Sequence, residues 1–276
     1  MIHFTKMQGI GNDFVMVDTI AKPLPPLDLP TLSRRANDRK FGIGGDGLIL
    51  LEKGQEAPFR MRMFNPDGSE SEMCGNGIRC FAKLLRDHGH LAEDSVNVET
   101  GAGTLHLELT PAGLVRVNMG RARLTRGEIG MTGPADETFT EQPVETLVGT
   151  LPGTAVSMGN PHLVLFVADA ASIPLYEAGP ELENLPLFPH RTNVHFIQML
   201  DRKTLLQKTW ERGAGATLAC GTGACASAVA AFVTGRAERE TEVKLPGGSL
   251  WIDYRENGEV IMTGPAETVF EGDLKV

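Results

Sequence analysis

Met73-Cys74-Gly75-Asn76-Gly77-Ile78 and Ala219-Cys220-Gly221-Thr222-Gly223-Ala224 are two copies of one phrase, 146 residues apart in a chain of 276. The surrounding sequence repeats with them. Gly11-Asn12, followed by Phe14-Val15-Met16-Val17, returns 148 residues on as Gly159-Asn160, followed by His162-Leu163-Val164-Leu165. Phe64-Asn65 returns as Trp210-Glu211 after 146 residues, and Gly103-Thr104-Leu105-His106-Leu107 as Gly248-Ser249-Leu250-Trp251-Ile252 after 145. Val115–Gly120 returns loosely as Glu259–Gly264 after 144. One Cys-Gly-x-Gly alone would be an ordinary glycine turn. Five matches in one order, with a spacing that drifts by four residues, are an internal duplication. It predicts two homologous domains, residues 1–120 and 121–264. A site shared by the halves would draw equivalent residues from each. Residues 121–150 have no counterpart and are expected to hold a crossover and one or two strands.

Periodicity supplies the elements of each repeat. Phe59–Phe64 alternates as a strand does, and so do Thr104–Leu109, Leu114–Val117 and Leu250–Tyr254. A helix follows each Cys-Gly-x-Gly. The first is expected over Asn76–His88 and stops at Gly89; the second, over Thr222–Thr234, stops at Gly235. The second is Ala, Val and Phe on nearly every face, so it should be buried all round. An all-apolar helix among short strands implies a curved sheet wrapped around it. Weaker helices near Thr31–Asp38 and Leu175–Glu183 complete the repeat.

Composition narrows the function. Hydrophobic residues make up 41% and charged residues 22%, which suits a globular chain with a core that needs no disulfide or metal. A net charge of −9 argues against nucleic acid or an anionic membrane as partner. No stretch is apolar for long enough to span a bilayer; the longest, Ala224–Val233, reads as a buried helix. With no apolar leader, the four cysteines are expected to stay reduced in the cytoplasm. Cys74-x5-Cys80 and Cys220-x4-Cys225 lack zinc-site spacing, so no metal is expected. There is no Walker A loop and no GxGxxG between strand and helix, so no nucleotide cofactor is expected either. Phe41–Gly47 is glycine-rich without the Lys-Ser/Thr of a P-loop and reads as a binding-wall turn.

The chemistry falls at the two helix starts. A helix N-terminus presents unpaired N–H groups and partial positive charge, which stabilise a thiolate or a bound anion. Each half thus carries a cradle for a carboxylate with a sulfur at its lip. Two such sulfurs fit inversion of an α-amino acid, a thiolate removing the α-proton on one face and a thiol returning one on the other. Cys80 and Cys225, inside the helices, read as core side chains. His162 gains functional weight from the duplicated Gly-Asn turn. Glu211-Arg212 could read an ammonium and a carboxylate together. Asn12, Asn65, Asn160 and Asn193 all stand at repeat-related positions, Asn193 opposite Gly47.

These segments resemble the diaminopimelate epimerase family. The likeness runs through Lys6–Phe14, Phe64–Ser69, Met73–Cys80, Met158–His162, Glu211–Gly215 and Ala219–Cys225, nearly the whole chain. The resemblance implies an α+β fold of two pseudo-symmetric domains. Each would be a mixed, mostly antiparallel curved sheet wrapped around a central helix. The last strand, 265–276, would return to the first domain. It implies pyridoxal-independent interconversion of LL- and meso-diaminopimelate, with this small molecule as substrate, on the route to lysine and peptidoglycan precursors, and a possible homodimer. Cys74 and Cys220 would be the acid/base pair, and Gly75, Asn76, Gly221 and Thr222 the backbone cradle. Asn12, Asn65, Asn160, Asn193, Glu211 and Arg212 would touch substrate, and His162 and Glu211 would tune the cysteines. Gly47 stands where some members carry Gln, so a contact there must come from backbone. Proline racemase and hydroxyproline epimerase use a similar cysteine pair and are the alternative; they have no need of Glu211-Arg212 and the asparagine set. Phenazine-biosynthesis isomerase relatives share the architecture without the cysteines.

Overall fold

The structure, a computed structural model, describes residues 1–275. The chain forms two compact units, residues 1–118 together with the chain from Thr263 onward, and Met119–Met262. The first unit runs β1 (Ile2–Gly9), β2 (Asn12–Asp18), α1 (Leu29–Asn37), β3 (Gly47–Lys53), β4 (Phe59–Phe64), β5 (Glu70–Ser71), α2 (Gly75–Asp87), β6 (Ser95–Thr100), β7 (Gly103–Leu109) and β8 (Val115–Arg121), which leads into the second. The second runs α3 (Arg126–Ile129), β9 (Gln142–Thr146), β10 (Gly149–Ser157), β11 (Pro161–Phe166), α4 (Leu175–Glu183), β12 (Asn193–Asp201), β13 (Thr204–Glu211), β14 (Gly215–Ala216), α5 (Gly221–Val233), β15 (Glu240–Leu245), β16 (Gly248–Tyr254) and β17 (Glu259–Gly264), and β18 (Glu267–Leu274) pairs back onto β1.

The two sheets repeat strand for strand. In the first, β2 pairs parallel with β3, β3 antiparallel with β4, β4 parallel with β6, and β6 antiparallel with β7. In the second, β11, β12, β13, β15 and β16 follow the same succession. The register repeats as well. Phe14 faces Gly47 as His162 faces Asn193, and Leu48 faces Phe64 as Val194 faces Trp210. The fold is α+β, each sheet mixed and mostly antiparallel.

Strand alternation gives each sheet two distinct faces. Val15, Val17, Leu48 and Leu50 pack with Leu32 and Ala36 of α1. Leu163, Leu165, Val194 and Phe196 pack with Ala178 and Leu182 of α4. The opposite faces take the central helices. A Cβ on Gly77 of α2 would lie 2.8 Å from Ile49 Cδ1, and one on Gly223 of α5 would lie 2.3 Å from His195 Cε1, so these helices approach their sheets at glycine. As its composition predicts, α5 is buried from Gly223 to Ala231. Gly89 and Gly235 end the two helices at φ 75° and 72°, a conformation that costs glycine little.

The unmatched segment 121–150 holds β9 and the start of β10, and also α3, closed by a Thr125–Glu128 capping box. At the far end of α2, Asp18 Oδ2 accepts from His88 Nδ1 at 2.9 Å and His90 Nε2 at 2.7 Å, which ties the helix C-terminus to the end of β2. Among the described residues, no helix is long and apolar enough to cross a membrane.

Candidate active site

Cys74 is the N-cap of α2, with extended backbone (φ −139°), and its carbonyl accepts from the Ile78 amide at 2.8 Å. Helix geometry leaves the amides of Gly75, Asn76 and Gly77 without intrahelical acceptors. Asn12, at the head of β2, reaches this turn. Its Oδ1 accepts from Asn76 Nδ2 at 3.1 Å and lies 3.8 Å from Cys74 Sγ. Its Nδ2 donates to Asp46 Oδ2 at 2.6 Å. A carboxylate only accepts, so Asp46 fixes the amide and turns the Asn12 oxygen toward the cysteine. Asp46 is fixed in turn. It accepts from the Asp13 amide at 3.1 Å and from Arg39 at 2.7 Å, and Arg39 and Lys6 each lie 2.6 Å from an Asp13 oxygen. Burial would raise the Asp13 carboxyl, but hydrogen bonds from Arg39 and Lys6 outweigh it and hold it below its ordinary value.

Two further residues of this half stand apart from that cluster. Asn65 lies in the turn after β4 and donates to Ser69 Oγ at 3.0 Å. Gly47 opens β3, where a Cβ would sit 2.9 Å from Met63 Cε and 3.2 Å from the Phe64 carbonyl. The place is closed to a side chain without displacement of Met63, so Gly47 has only backbone to offer.

Cys220 repeats the arrangement at the start of α5, with φ −132° and only 4% exposure. Its Sγ lies 3.8 Å from Thr222 Oγ1. Asn160 Nδ2 donates to Thr222 Oγ1 at 3.5 Å, and Asn160 Oδ1 pairs with His162 Nε2 at 2.9 Å. His162 Nδ1 pairs with His195 Nε2 at 2.9 Å, and His195 Nδ1 with Thr209 Oγ1 at 3.0 Å. Thr217 Oγ1 donates to Glu211 Oε1 at 2.5 Å. The Arg212 amide donates to Asn193 Oδ1 at 3.0 Å, while Asn193 Nδ2 donates to the Pro161 carbonyl at 2.9 Å.

The electrostatics of this half are not those of a helix start alone. Burial pushes the Cys220 thiol well above its ordinary value, and the Glu211 carboxylate pushes it further; the Gly223 amide and Thr222 pull the other way and lose. The expectation that a helix N-terminus lowers the thiol fails here, because desolvation and a neighbouring anion outweigh the helix amides. Burial, then His195 and Arg212, lower His162 well below 6.5, and burial lowers His195 to about 3. Both imidazoles are neutral near pH 7.

A linkage follows for stability. Both folded values lie below 6.5, so below that pH the unfolded chain binds more protons. Stability therefore falls as pH drops from 6.5, for His195 until about 3, at roughly 1.4 kcal/mol per pH unit for each histidine. Urea midpoints at pH 7 and pH 5 test this. The drop should be smaller in His195→Gln, which carries no titrating ring; an equal drop in both proteins would contradict it.

The sequence profile described as diaminopimelate epimerase matches residues 4–125 and 154–269. The chain belongs to the diaminopimelate epimerase family. The diaminopimelate epimerase of Moorella thermoacetica is 50% identical to it over 278 residues, covering 99% of each chain. A phenazine biosynthesis protein of the PhzF family from Bacillus anthracis shares its fold with a TM-score of 0.71 at 18% identity, over 100% of this chain and 99% of that one. A hydroxyproline epimerase from Agrobacterium vitis does so with a TM-score of 0.66 at 14% identity, over 98% and 91%. At such identities these two likenesses are of fold alone.

Within the diaminopimelate epimerase family frame, the first unit gathers Asn12, Asn76 and Cys74, and the second gathers Asn160, Thr222, Cys220, His162 and Glu211, with Asn193 joined to Arg212. No motif in the sequence marks Asp46, His195, Thr209 and Gln207, although Asp46 lies inside the glycine-rich segment Phe41–Gly47. The other three lie on alternate positions of β12 and β13, opposite one another in register or one pair along.

Proposed function

We infer that this chain is an isomerase that interconverts LL- and meso-diaminopimelate by a two-base mechanism. The observation that carries the reading is one cysteine at the N-cap of the central helix in each of two duplicated units, in a chain of this family. One sulfur, as thiolate, takes the α-proton. The other, as thiol, gives its proton to the opposite face of the same carbon. The product leaves with inverted configuration and the sulfurs with exchanged protonation, ready for the reverse direction. Removing the α-proton drives negative charge onto the α-carboxylate, and first-turn amides at Gly75-Asn76 and Gly221-Thr222 are the groups suited to receive it. Each step is a proton transfer at sulfur, so the scheme calls for no cofactor.

Asn12, Asn65, Asn160, Asn193, Glu211 and Arg212 are proposed to hold the substrate, with Gly47 contributing backbone only. The domain division proposed from the repeats, 1–120 with 265–276 and 121–264, goes with this reading. The reaction belongs to lysine biosynthesis, and the cytoplasm is the proposed location. Incubation in D2O with LL-diaminopimelate or L-proline tests the substrate. Deuterium should enter the α-position of diaminopimelate with formation of the meso isomer, and proline should remain unlabelled. The reverse pattern would make the chain a proline-type racemase on the same chemistry.

A further inference from the structure

We propose that His195 is a positioning residue. Through His162 it fixes the Asn160 amide with its NH2 toward Thr222 and the Cys220 cradle. The proposal rests on reading Cys220 as one of the two bases.

The direction of the hydrogen-bond chain follows from its inner end. Gln207 Nε2 donates to Thr209 Oγ1 at 2.9 Å and lies 3.3 Å from His195 Nδ1. Its Oε1 is buried without a hydrogen-bond partner. Turning this amide round would strand the NH2 instead, and buried N–H groups tolerate that less than a carbonyl oxygen does. With Gln207 so placed, the Thr209 hydroxyl accepts from it and keeps its own proton for His195 Nδ1. A neutral imidazole has one donor and one acceptor. His195 Nδ1 therefore accepts, and Nε2–H donates to His162 Nδ1. His162 then carries its proton on Nε2 and donates to Asn160 Oδ1. The Asn160 NH2 is left to face Thr222 Oγ1, and the Thr222 hydroxyl proton is left for Cys220 Sγ.

The first unit shows that the scaffold does not require this chain. By the repeated register, His162, His195, Thr209 and Gln207 occupy the positions of Phe14, Ile49, Met63 and Met61. Those four are buried apolar residues. Asn12 is held there by Asp46 and presents its oxygen to Asn76 and Cys74, whereas Asn160 presents its NH2 to Thr222 Oγ1, which lies 3.8 Å from Cys220 Sγ. The paired asparagines thus turn opposite polarity to the equivalent helix residues Asn76 and Thr222, and the histidine pair replaces Asp46 in setting the second one. The pair is also close to the reacting end, since His195 abuts Gly223 in the first turn of α5.

The test uses the full chain in three forms: wild type, His195→Gln, whose side-chain NH2 can stand in for Nε2–H, and His195→Ile, the residue of the first unit. Side-chain 15N spectra report which ring nitrogen of His162 carries the proton, with the signal assigned by its loss in His162→Gln. Wild type and His195→Gln should show His162 protonated on Nε2. His195→Ile should lose the single tautomer and lower kcat on LL-diaminopimelate about tenfold or more with KM little changed, the scale of outer-shell positioning effects. His195→Gln should restore most of kcat. A wild-type His162 protonated on Nδ1, or a His195→Ile enzyme with unchanged tautomer and kcat, would overturn the proposal. Should His195→Ile fail to fold, the wild-type and His195→Gln spectra decide alone. The tautomer is read without substrate, so an error in the substrate assignment would leave this result standing.

Discussion

Cys74→Ala and Cys220→Ala should each abolish interconversion of LL- and meso-diaminopimelate. In the proposed two-base mechanism each sulfur serves one face of the carbon, so neither can replace the other. General acid–base catalysis by one group is worth about 10²–10⁴ in rate, and each variant loses one such group outright. Cys→Ser keeps the shape but offers an alcohol in place of a thiol, a far weaker acid that is not ionised near pH 7 and so serves poorly as base or proton donor, and should lose most of that factor too. Cys80 is the internal control. It is fully buried, and burial pushes its thiol up to about 12, so it stays a protonated core side chain. Cys80→Ala should therefore change the urea midpoint and leave kcat/KM near the starting value. Turnover is measured from either epimer by 1H NMR. Near-normal rates in either of the first two variants would end the two-base reading. A loss in Cys80→Ala as large as theirs would mean that packing of the helix, not sulfur chemistry, is being measured.

The placement of Cys74 and Cys220 at helix starts, and of Cys80 inside its helix, was legible in the sequence because the duplication repeats Cys-Gly-x-Gly. The same duplication placed both central helices within one residue at their starts, and Leu175–Glu183 and Phe59–Phe64 are the elements the periodicity predicts. The helix expected at Thr31–Asp38 begins earlier, at Leu29. Asp28 caps it, accepting from the Thr31 amide at 3.3 Å, and Pro30 suits a first turn, so Asp-Leu-Pro carried the start. Less could be read of what surrounds the sulfurs. Asn193-x-His195 and Gln207-x-Thr209 alternate polar residues along strands, a pattern that ordinarily marks a solvated face. Here His195, Gln207 and Thr209 are buried, because α5 covers that face and the groups satisfy one another across β12 and β13. Only strand register brings these partners together. The Lys6–Asp13–Arg39–Asp46 network was hidden for the same reason, since its members come from β1, β2 and the loop before β3.

Arg212→Ala should lower kcat/KM for diaminopimelate by about 10²-fold or more, while the activity on lysine, expected to be weak from the start, should change little. Diaminopimelate has two zwitterionic ends and is neutral overall near pH 7, so the net charge of −9 gives little steering and local contacts must do the reading. Backbone amides at the cysteines can hold the reacting end of any α-amino acid. Discrimination has to come from the distal carboxylate, which lysine lacks. We propose that Arg212 reads it. Its amide is tied to Asn193, and its guanidinium is anchored by one N–H to the His190 carbonyl at 3.0 Å, which orders the side chain before substrate arrives. A charge-assisted, two-point contact from guanidinium to carboxylate is among the strongest hydrogen-bonded pairs, and each bond to a charged group is worth about 1.5–3 kcal/mol. Losing it should cost diaminopimelate that much and cost lysine, which never makes it, almost nothing. The measurement is kcat/KM for both substrates with both enzymes. Equal losses would locate the role of Arg212 elsewhere. Its charge already depresses His162, so an equal loss would point to the histidine pair and the Cys220 cradle rather than to the distal end of the substrate.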